Sequence, residues 1–180
     1  MKKQNTKMLV EASMMLALAI ILGEFVKLFK MPMGGSVTLG GMVPLFLFAF
    51  RWGGKKGLLV GAVYGILDLV IGGFYAMHPI SIILDYPLAF AMIGFAGFFK
   101  KTPAGYIGGI MTGVVGRFIW HVVSGVVFYA SYAPEGQTPL FYSISYNGTF
   151  LLPELIITVV LTLVMVKVVK LPDPANPTKA

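Results

Sequence analysis

The chain alternates long apolar runs with short polar connections. Because the hydrocarbon core of a bilayer is about 30 Å thick, a helix needs roughly 20 apolar residues to cross it. Six runs approach or exceed that length: residues 8–29, 37–50, 57–74, 80–99, 104–130 and 149–169. The second run is short, so we expect it to cross the bilayer poorly or to begin inside a re-entrant loop.

This pattern predicts an all-α integral membrane protein, built as a bundle of six transmembrane helices. We assign residues 1–171 to a single membrane domain and the Pro-rich residues 172–180 to a disordered C-terminal tail. Composition supports this fold class, since 57% of residues are hydrophobic and 12% are charged. Soluble domains carry about 25% charged residues, so a soluble globular enzyme, a disordered chain and a coiled coil are excluded.

The distribution of positive charge predicts the orientation. Eleven of the 14 Lys and Arg residues fall on one side of the predicted spans. They are Lys2, Lys3, Lys7, Arg51, Lys55, Lys56, Lys100, Lys101, Lys167, Lys170 and Lys179. Only Lys27 and Lys30 fall on the other side, and Arg117 lies inside the fifth span. The positive-inside rule therefore places both termini in the cytoplasm.

A cleaved signal peptide is a competing interpretation of the N-terminus. Lys2 and Lys3 precede an apolar run, and residues 17–19 (Ala-Leu-Ala) look like a cleavage site. The run continues to Phe29, however, and is longer than the apolar region of a signal peptide. We therefore keep it as the first span.

Two outer connections are elaborate. Residues 30–42 (KMPMGGSVTLGGM) are Gly-rich, and we expect a flexible loop there. Residues 131–148 are rich in aromatic side chains and carry only Glu135 as a charge. Because the inner connections are short, we expect recognition to take place on the outer side.

Small residues recur at helical spacing. Glycines follow every fourth residue in 53–65 and again in 105–113, which indicates close packing of the third and fifth spans within the chain. In the first span, Ser13 and Ala17 are also four apart, and Ala12 and Leu16 extend the same strip. This strip could pack internally or dock another membrane subunit.

Polar side chains inside spans are costly, so each is a candidate for function. Asp85, Tyr86, His121 and Tyr129 all fall in the outer third of the predicted bundle. A buried carboxylate needs a donor or cation, and aromatic faces attract cations. The set favours a small, planar, nitrogen-rich cation as ligand. For each tyrosine the alternative is a membrane-interface residue, and for His121 a structural role.

Three further polar residues lie deeper. Asp68 and Arg117 are expected to form a buried ion pair, and Glu154 to serve in helix packing. The sequence contains no phosphate-binding loop of the G-x-x-x-x-G-K-[ST] type, so this chain does not itself hydrolyse ATP. It lacks a nucleophile–base pair and Cys, which disfavours a membrane enzyme and excludes Cys-ligated metal. The chain is then a passive binder or one part of a larger assembly.

Three stretches add a family resemblance: HPISIILDYPLAF (78–90), HVVSGVVFYASYAPEG (121–136) and YSISYNG (142–148). On these motifs the chain, over about residues 7–170, resembles the thiamine-specific substrate-binding components (S-components) of energy-coupling factor (ECF) vitamin transporters. The resemblance implies a thiamine site open to the outside of a prokaryotic cell membrane. It also implies partners, one membrane-coupling subunit and two cytoplasmic ATPases. No cofactor is implied for this chain, since ATP is used only by the partner subunits.

The resemblance also implies roles for individual residues. Asp85 takes the acidic place that pairs with the aminopyrimidine ring, and Tyr129 takes an aromatic place against the thiazolium. The remaining implied pocket residues are Tyr75, Tyr86, His121, Gly125, Tyr142 and Asn147. Ser13 and Ala17 match the small-residue docking strip of the family. Family members can carry Glu at Asp85 and Trp at Tyr129, and the first outer loop here lacks the aromatic that others have.

The leading hypothesis is therefore a thiamine-binding subunit of an ATP-driven vitamin transporter. One alternative is an S-component for another vitamin or for a thiamine precursor such as hydroxymethylpyrimidine. Another is a stand-alone proton-coupled carrier that uses Asp68, Arg117 and Glu154 as a relay.

Overall fold

The computed structural model describes residues 2–32, 34–73 and 78–169. This part of the chain forms six helices of ten or more residues, one short 3₁₀ turn (Ala130–Tyr132) and one β-hairpin. The helices are α1 (Lys2–Ile20, continued by a π-helical turn Ile21–Phe25), α2 (Val43–Trp52), α3 (Gly54–Gly72), α4 (Pro79–Phe98), α5 (Pro103–Phe128) and α6 (Pro139–Val169). The strands are β1 (Lys27–Lys30) and β2 (Ser36–Thr38), which pair antiparallel.

The predicted all-helical membrane fold is confirmed. Four helices, α1, α4, α5 and α6, are long and apolar enough to cross a bilayer. Helix α3 has 19 residues but includes Lys55, Lys56 and Asp68. Helix α2 has ten residues, about 15 Å of helix, and cannot span the hydrocarbon core by itself.

The structure corrects several predicted boundaries. The first apolar run was predicted to be helical over residues 8–29, but the helix ends at Phe25 and the residues from Lys27 onward form β1. The second run begins in β2 and continues into the short helix α2, and the re-entrant start expected for it remains a prediction. The flexible loop predicted for 30–42 contains β2 and the turn that leads into α2. The predicted outer connection 131–148 was wrong from residue 139 onward, because α6 begins at Pro139.

The predicted close packing of glycines is internal to the chain. A side chain added at Gly61 would collide with the backbone of Phe90, and one at Gly65 with the backbone of Tyr86. At Gly113 it would press against Phe46 and the backbone of Ile93. Helix α3 therefore packs at backbone distance against α4, and α5 packs closely against α2 and α4.

The apolar core centres on α2, which the other helices surround. Leu45, Phe46, Phe48, Ala49 and Phe50 are all at most 2% exposed. Phe50 makes an edge contact with Tyr106 of α5, with ring centroids 4.8 Å apart. Because α2 is buried all round, it can be short without exposing its ends to lipid.

The two ends of the bundle differ in charge. The α2–α3 turn packs on the end of α4, where Gly97 approaches the backbone of Gly53. Lys55 and Lys56, which follow α2, therefore lie at the same end of the bundle as Lys100 and Lys101, which follow α4. Glu11 of α1 lies at this end too, where it accepts a hydrogen bond from Arg51. The positive-inside rule makes this end cytoplasmic. The hairpin and the α5–α6 connection lie at the other, outer end.

Two predictions fall on parts of the chain outside the described residues. These are the pocket role of Tyr75 and the disorder of the tail at 172–180. Both remain predictions.

Candidate ligand-binding site

A cavity of about 160 Å³ lies in the outer half of the bundle. Its walls come from the hairpin, the outer end of α1, and helices α3, α4, α5 and α6. The structure brings seven of the eight predicted pocket residues to this cavity, and the eighth, Tyr75, lies outside the described residues. The seven are Asp85, Tyr86, His121, Gly125, Tyr129, Tyr142 and Asn147. Their role as ligand contacts remains a prediction.

Asp85 is the central acid of this cavity. Oδ1 lies 2.9 Å from Nδ1 of His121, and the hydroxyl of Ser124 donates to Oδ2 at 2.6 Å. His121 and Ser124 are three residues apart on α5, so both face α4 from the same side of the helix. Ser124 was not predicted from the sequence, although its spacing from His121 was the available signal.

The local backbone of α4 helps to place Asp85. Residues Leu84–Leu88 form a π-helical turn that contains Pro87. Proline has no N–H to donate within the helix, and insertion of a wider turn accommodates that loss. Facing this turn is Gly65 of α3, which approaches the Tyr86 carbonyl. Tyr86 also donates its hydroxyl to the carbonyl of Gly73, at 3.3 Å.

Arg117 lies behind His121. Its Nε donates to Nε2 of His121 at 3.2 Å, and its guanidinium carbon lies 4.0 Å from the ring centroid of Phe90. The predicted ion pair with Asp68 is not formed: among the described residues, Arg117 does not come within 4.0 Å of that carboxylate. Arg117 instead directs a second nitrogen to the sulfur of Met42, at 3.2 Å.

An aromatic wall follows the first turns of α6. The rings of Tyr142 and Tyr146 lie 6.1 Å apart, and Tyr146 meets Phe150 edge-on at the same distance. Phe150 in turn contacts the His121 ring at 6.0 Å. Flat ligands can stack against such a surface, and cations are attracted to the ring faces.

Ser143 links α6 to α5 at the cavity, and Asn147 and Gly125 both lie against it. The amide of Asn147 donates to the carbonyl of Ser143 at 2.9 Å and to its hydroxyl at 3.3 Å. The Ser143 hydroxyl donates to the carbonyl of Val122 at 3.2 Å. A side chain at Gly125 would overlap the Ser143 hydroxyl. Gly125 therefore serves helix packing as well as lining the cavity.

The hairpin is connected to α6 by one buried carboxylate. Glu154 is 3% exposed, and its Oε1 accepts from the backbone N–H of Thr38 at 2.9 Å and from its hydroxyl at 2.5 Å. The same hydroxyl accepts from the backbone N–H of Gly41 at 3.0 Å. No periodicity in the sequence indicates this contact, because its partners are 116 residues apart.

Charged groups of both signs line the cavity. Four carboxylates line it, those of Glu24, Asp68, Asp85 and Glu154. Three cations line it as well, those of Lys27, Lys30 and Arg117. Within the described residues there is no cluster of His, Asp or Glu that could hold a metal ion.

Comparisons with known proteins identify the family of this chain. The sequence profile of a family described as "Thiamine transporter protein" matches residues 9–172. The thiamine transporter ThiT of Bacillus subtilis is 39% identical over 163 residues, which make up 83% of this chain and 84% of the relative. ThiT of Lacticaseibacillus paracasei is 35% identical over 144 residues, 71% of this chain and 72% of the relative.

A solved structure extends the likeness to the fold. ThiT from Listeria monocytogenes superposes with a TM-score of 0.81 at 29% identity, covering 93% of this chain and 97% of that one. The profile match spans nearly the whole chain, and two relatives exceed 30% identity over more than two thirds of it. This chain therefore belongs to the thiamine transporter protein family.

Proposed function

We propose that this membrane protein binds thiamine at its outer face and is the substrate-specificity subunit of an ATP-driven ECF vitamin transporter. It acts in transport, as its named relatives do, and not as an enzyme. The observation that supports the proposal most directly is the partly buried Asp85. Two protein donors fix this carboxylate beside a cavity walled by tyrosines.

The chemistry of thiamine matches that cavity. Its aminopyrimidine ring offers hydrogen-bond donors, which the free lone pairs of Asp85 can accept. Its thiazolium ring is flat and positively charged, and suits the faces of Tyr129 and the α6 tyrosines. Thiamine is the ligand of this chain, and no cofactor is needed for binding.

The first test is a thiamine titration of the purified protein, followed by tyrosine fluorescence and by calorimetry. We expect saturable binding with a Kd below about 10 μM, since each good charge-assisted hydrogen bond contributes roughly ten-fold. Absence of saturable binding would contradict the proposal. Competition separates the nearest alternative: if hydroxymethylpyrimidine binds more tightly than thiamine, the precursor is the substrate.

The proposed partner surface is the exposed strip of α1. Ser13 and Ala17 are both exposed and lie one turn apart, and the Ser13 hydroxyl donates back to the carbonyl of Leu9 at 3.0 Å. Its hydrogen-bonding needs are thus met inside α1, which leaves a small, flat surface for close helix contact. Ala12, expected in the same strip, is 7% exposed and belongs to the core instead.

A bulky side chain placed in this strip tests whether it docks the partner subunit. We expect Ala17→Trp to retain thiamine binding but to lose co-purification with the membrane-coupling subunit and the two ATPases. The matched control is Val160→Trp, which adds the same ring at an exposed position of α6. An Ala17→Trp variant that still assembles would contradict docking through this strip.

Proteoliposomes distinguish the coupled transporter from a stand-alone carrier. Asp68 and Glu154 both line the cavity, so a proton relay has groups at the required place. If this chain alone accumulates thiamine in response to a proton gradient, the ATP-driven proposal is wrong. We expect accumulation only when the partner subunits and ATP are present.

A further inference from the structure

Both ring nitrogens of His121 are engaged by charged neighbours. Nε2 faces Nε of Arg117 at 3.2 Å, and Nδ1 faces Oδ1 of Asp85 at 2.9 Å. A guanidinium group only donates hydrogen bonds, so Nε2 must accept and carries no proton. The ring proton of a neutral imidazole then sits on Nδ1, which donates to Asp85. We infer that Arg117 is a positioning residue that fixes His121 as the neutral Nδ1–H tautomer.

The charges around this pair are consistent with that assignment. Asp85 approaches His121 from α4, and Arg117 belongs to the same helix as His121, while the contact from α6 is the uncharged ring of Phe150. Arg117 itself lines the same cavity as the carboxylates of Asp68 on α3 and Glu154 on α6. Arginine keeps its proton in proteins, so the Nε–H of this guanidinium is available to donate.

The tautomer determines what Asp85 offers to a ligand. A doubly protonated His121 would pair with Asp85 and cancel its charge, whereas the neutral ring leaves that charge intact. Each oxygen of Asp85 accepts one bond, from His121 or from Ser124, and keeps a second lone pair. Both nitrogens of His121 are occupied, so the ring contacts a ligand only through its face. This consequence rests on the proposed function, because it concerns recognition of a thiamine cation.

The other histidine provides an internal reference. Nδ1 of His78 accepts from the backbone N–H of Ile80 at 3.1 Å, so the proton of its neutral ring lies on Nε2. The chain contains two histidines in all. The structure therefore assigns opposite tautomers to them.

The decisive measurement is a two-bond ¹H–¹⁵N correlation spectrum of ¹⁵N-histidine-labelled protein in detergent, at neutral pH and without thiamine. We expect one Nδ1–H ring and one Nε2–H ring, and His78→Gln should remove only the second. If His121 is found as the Nε2–H form or doubly protonated, the inference is overturned. This test uses the native side chains, so it does not depend on whether an Arg117 variant folds.

Substitutions at Arg117 test whether this residue causes His121 to adopt the Nδ1–H tautomer. In Arg117→Met we expect His121 to acquire a proton on Nε2 and thiamine affinity to fall about ten-fold, the effect of one charge-assisted hydrogen bond. Arg117→Lys keeps a donor and a charge, and should retain the Nδ1–H signal and an affinity within a few-fold of native. Arg51→Met removes the chain's other guanidinium, at the cytoplasmic end, and should leave the His121 signals unchanged.

The experiments distinguish failure of the proposed function from failure of the positioning role of Arg117. If thiamine does not bind but the ligand-free spectrum shows the Nδ1–H ring, the proposed function is wrong and the assignment to Arg117 stands. If thiamine binds and Arg117→Met leaves the His121 spectrum unchanged, the positioning role is wrong and the proposed function stands.

Discussion

Two partly buried carboxylates, one at each end of the bundle, are held in nearly the same way. At the cytoplasmic end Glu11 accepts from Arg51 at 3.0 Å and from Nε1 of Trp52 at 2.7 Å. In the outer half Asp85 accepts from His121 and Ser124 at 2.9 and 2.6 Å. Their side chains are similarly shielded, 21% and 17% exposed. The hydrogen bonds alone do not distinguish a structural acid from a binding acid.

The difference lies in the surroundings. Glu11 joins α1 to α2 beside a dense aromatic core, and it is not among the described residues that line the cavity. Asp85 lies on a π-helical turn beside open space, and the second π-helical turn, Ile21–Phe25, also borders the cavity. Wider turns interrupt regular packing and are frequent at functional sites. We therefore expect a partly buried acid to bind a ligand where the backbone leaves room beside it.

The largest expected effect comes from Asp85→Asn. The substitution keeps size and one acceptor but removes the charge, so thiamine binding should weaken by at least about 2 kcal/mol, roughly 30-fold. Calorimetry on the purified variant measures this directly. Thermal stability should change little, because the amide oxygen can accept from His121 while the amide N–H donates to the Ser124 hydroxyl, which can rotate to accept. An unchanged affinity would mean that this carboxylate does not contact the ligand.

Glu11→Gln is the matched change at the other end. Loss of charge beside Arg51 leaves a shielded guanidinium without its counterion, and should lower the free energy of unfolding by about 2 kcal/mol. Thermal unfolding in detergent reports this loss. Thiamine affinity of the folded variant should stay within about three-fold of native. Weakening comparable to that of Asp85→Asn would remove the distinction between the two acids.

Gly125→Ala tests whether helix spacing controls the site. The added methyl group would overlap the Ser143 hydroxyl, so we expect a loss of about 1–2 kcal/mol in stability and weaker thiamine binding. Combining it with Ser143→Ala removes the overlapping atom, and thermal unfolding of the double variant should recover part of the loss. A double variant as unstable as the sum of both single variants would contradict steric overlap as the cause.

Much of the outer site could be predicted from sequence because its main residues repeat at helical spacing. His121, Gly125 and Tyr129 follow one another every four residues, and a carboxylate inside a span has few explanations other than function. The number of helices and the orientation follow from apolar length and from lysine distribution. These signals are local, so no tertiary contact is needed to find them.

The contacts that sequence analysis missed are those between distant segments. Thr38 and Glu154 have no shared periodicity, and a Gly-rich stretch resembles a flexible loop until its strand pairs with β1. The expected ion pair between Asp68 and Arg117 was wrong for a related reason. Depth along two spans can be estimated from sequence, but helix rotation decides which side chains meet, and here Arg117 faces His121.

The smallest predicted effect concerns the hairpin. Thr38→Val preserves shape and the backbone bond to Glu154 but removes the hydroxyl that donates to Glu154 and accepts from Gly41. Loss of about 1 kcal/mol of hydrogen bonding should loosen this wall of the cavity and speed thiamine dissociation about five-fold. Stopped-flow displacement of bound thiamine measures the rate.

The control for that change is Thr112→Val, since the Thr112 hydroxyl bonds only to the Gly108 carbonyl within exposed α5 surface. Adding Glu154→Gln to Thr38→Val should then change the rate less than Glu154→Gln does alone, because the two side chains share one hydrogen bond. The proposed role of this contact would be contradicted if Glu154→Gln changed the dissociation rate equally in the native protein and in Thr38→Val. It would also be contradicted if thiamine dissociated from Thr38→Val no faster than from Thr112→Val. Retention of thiamine would then depend on the α4–α6 wall, where Asp85 and the tyrosines lie.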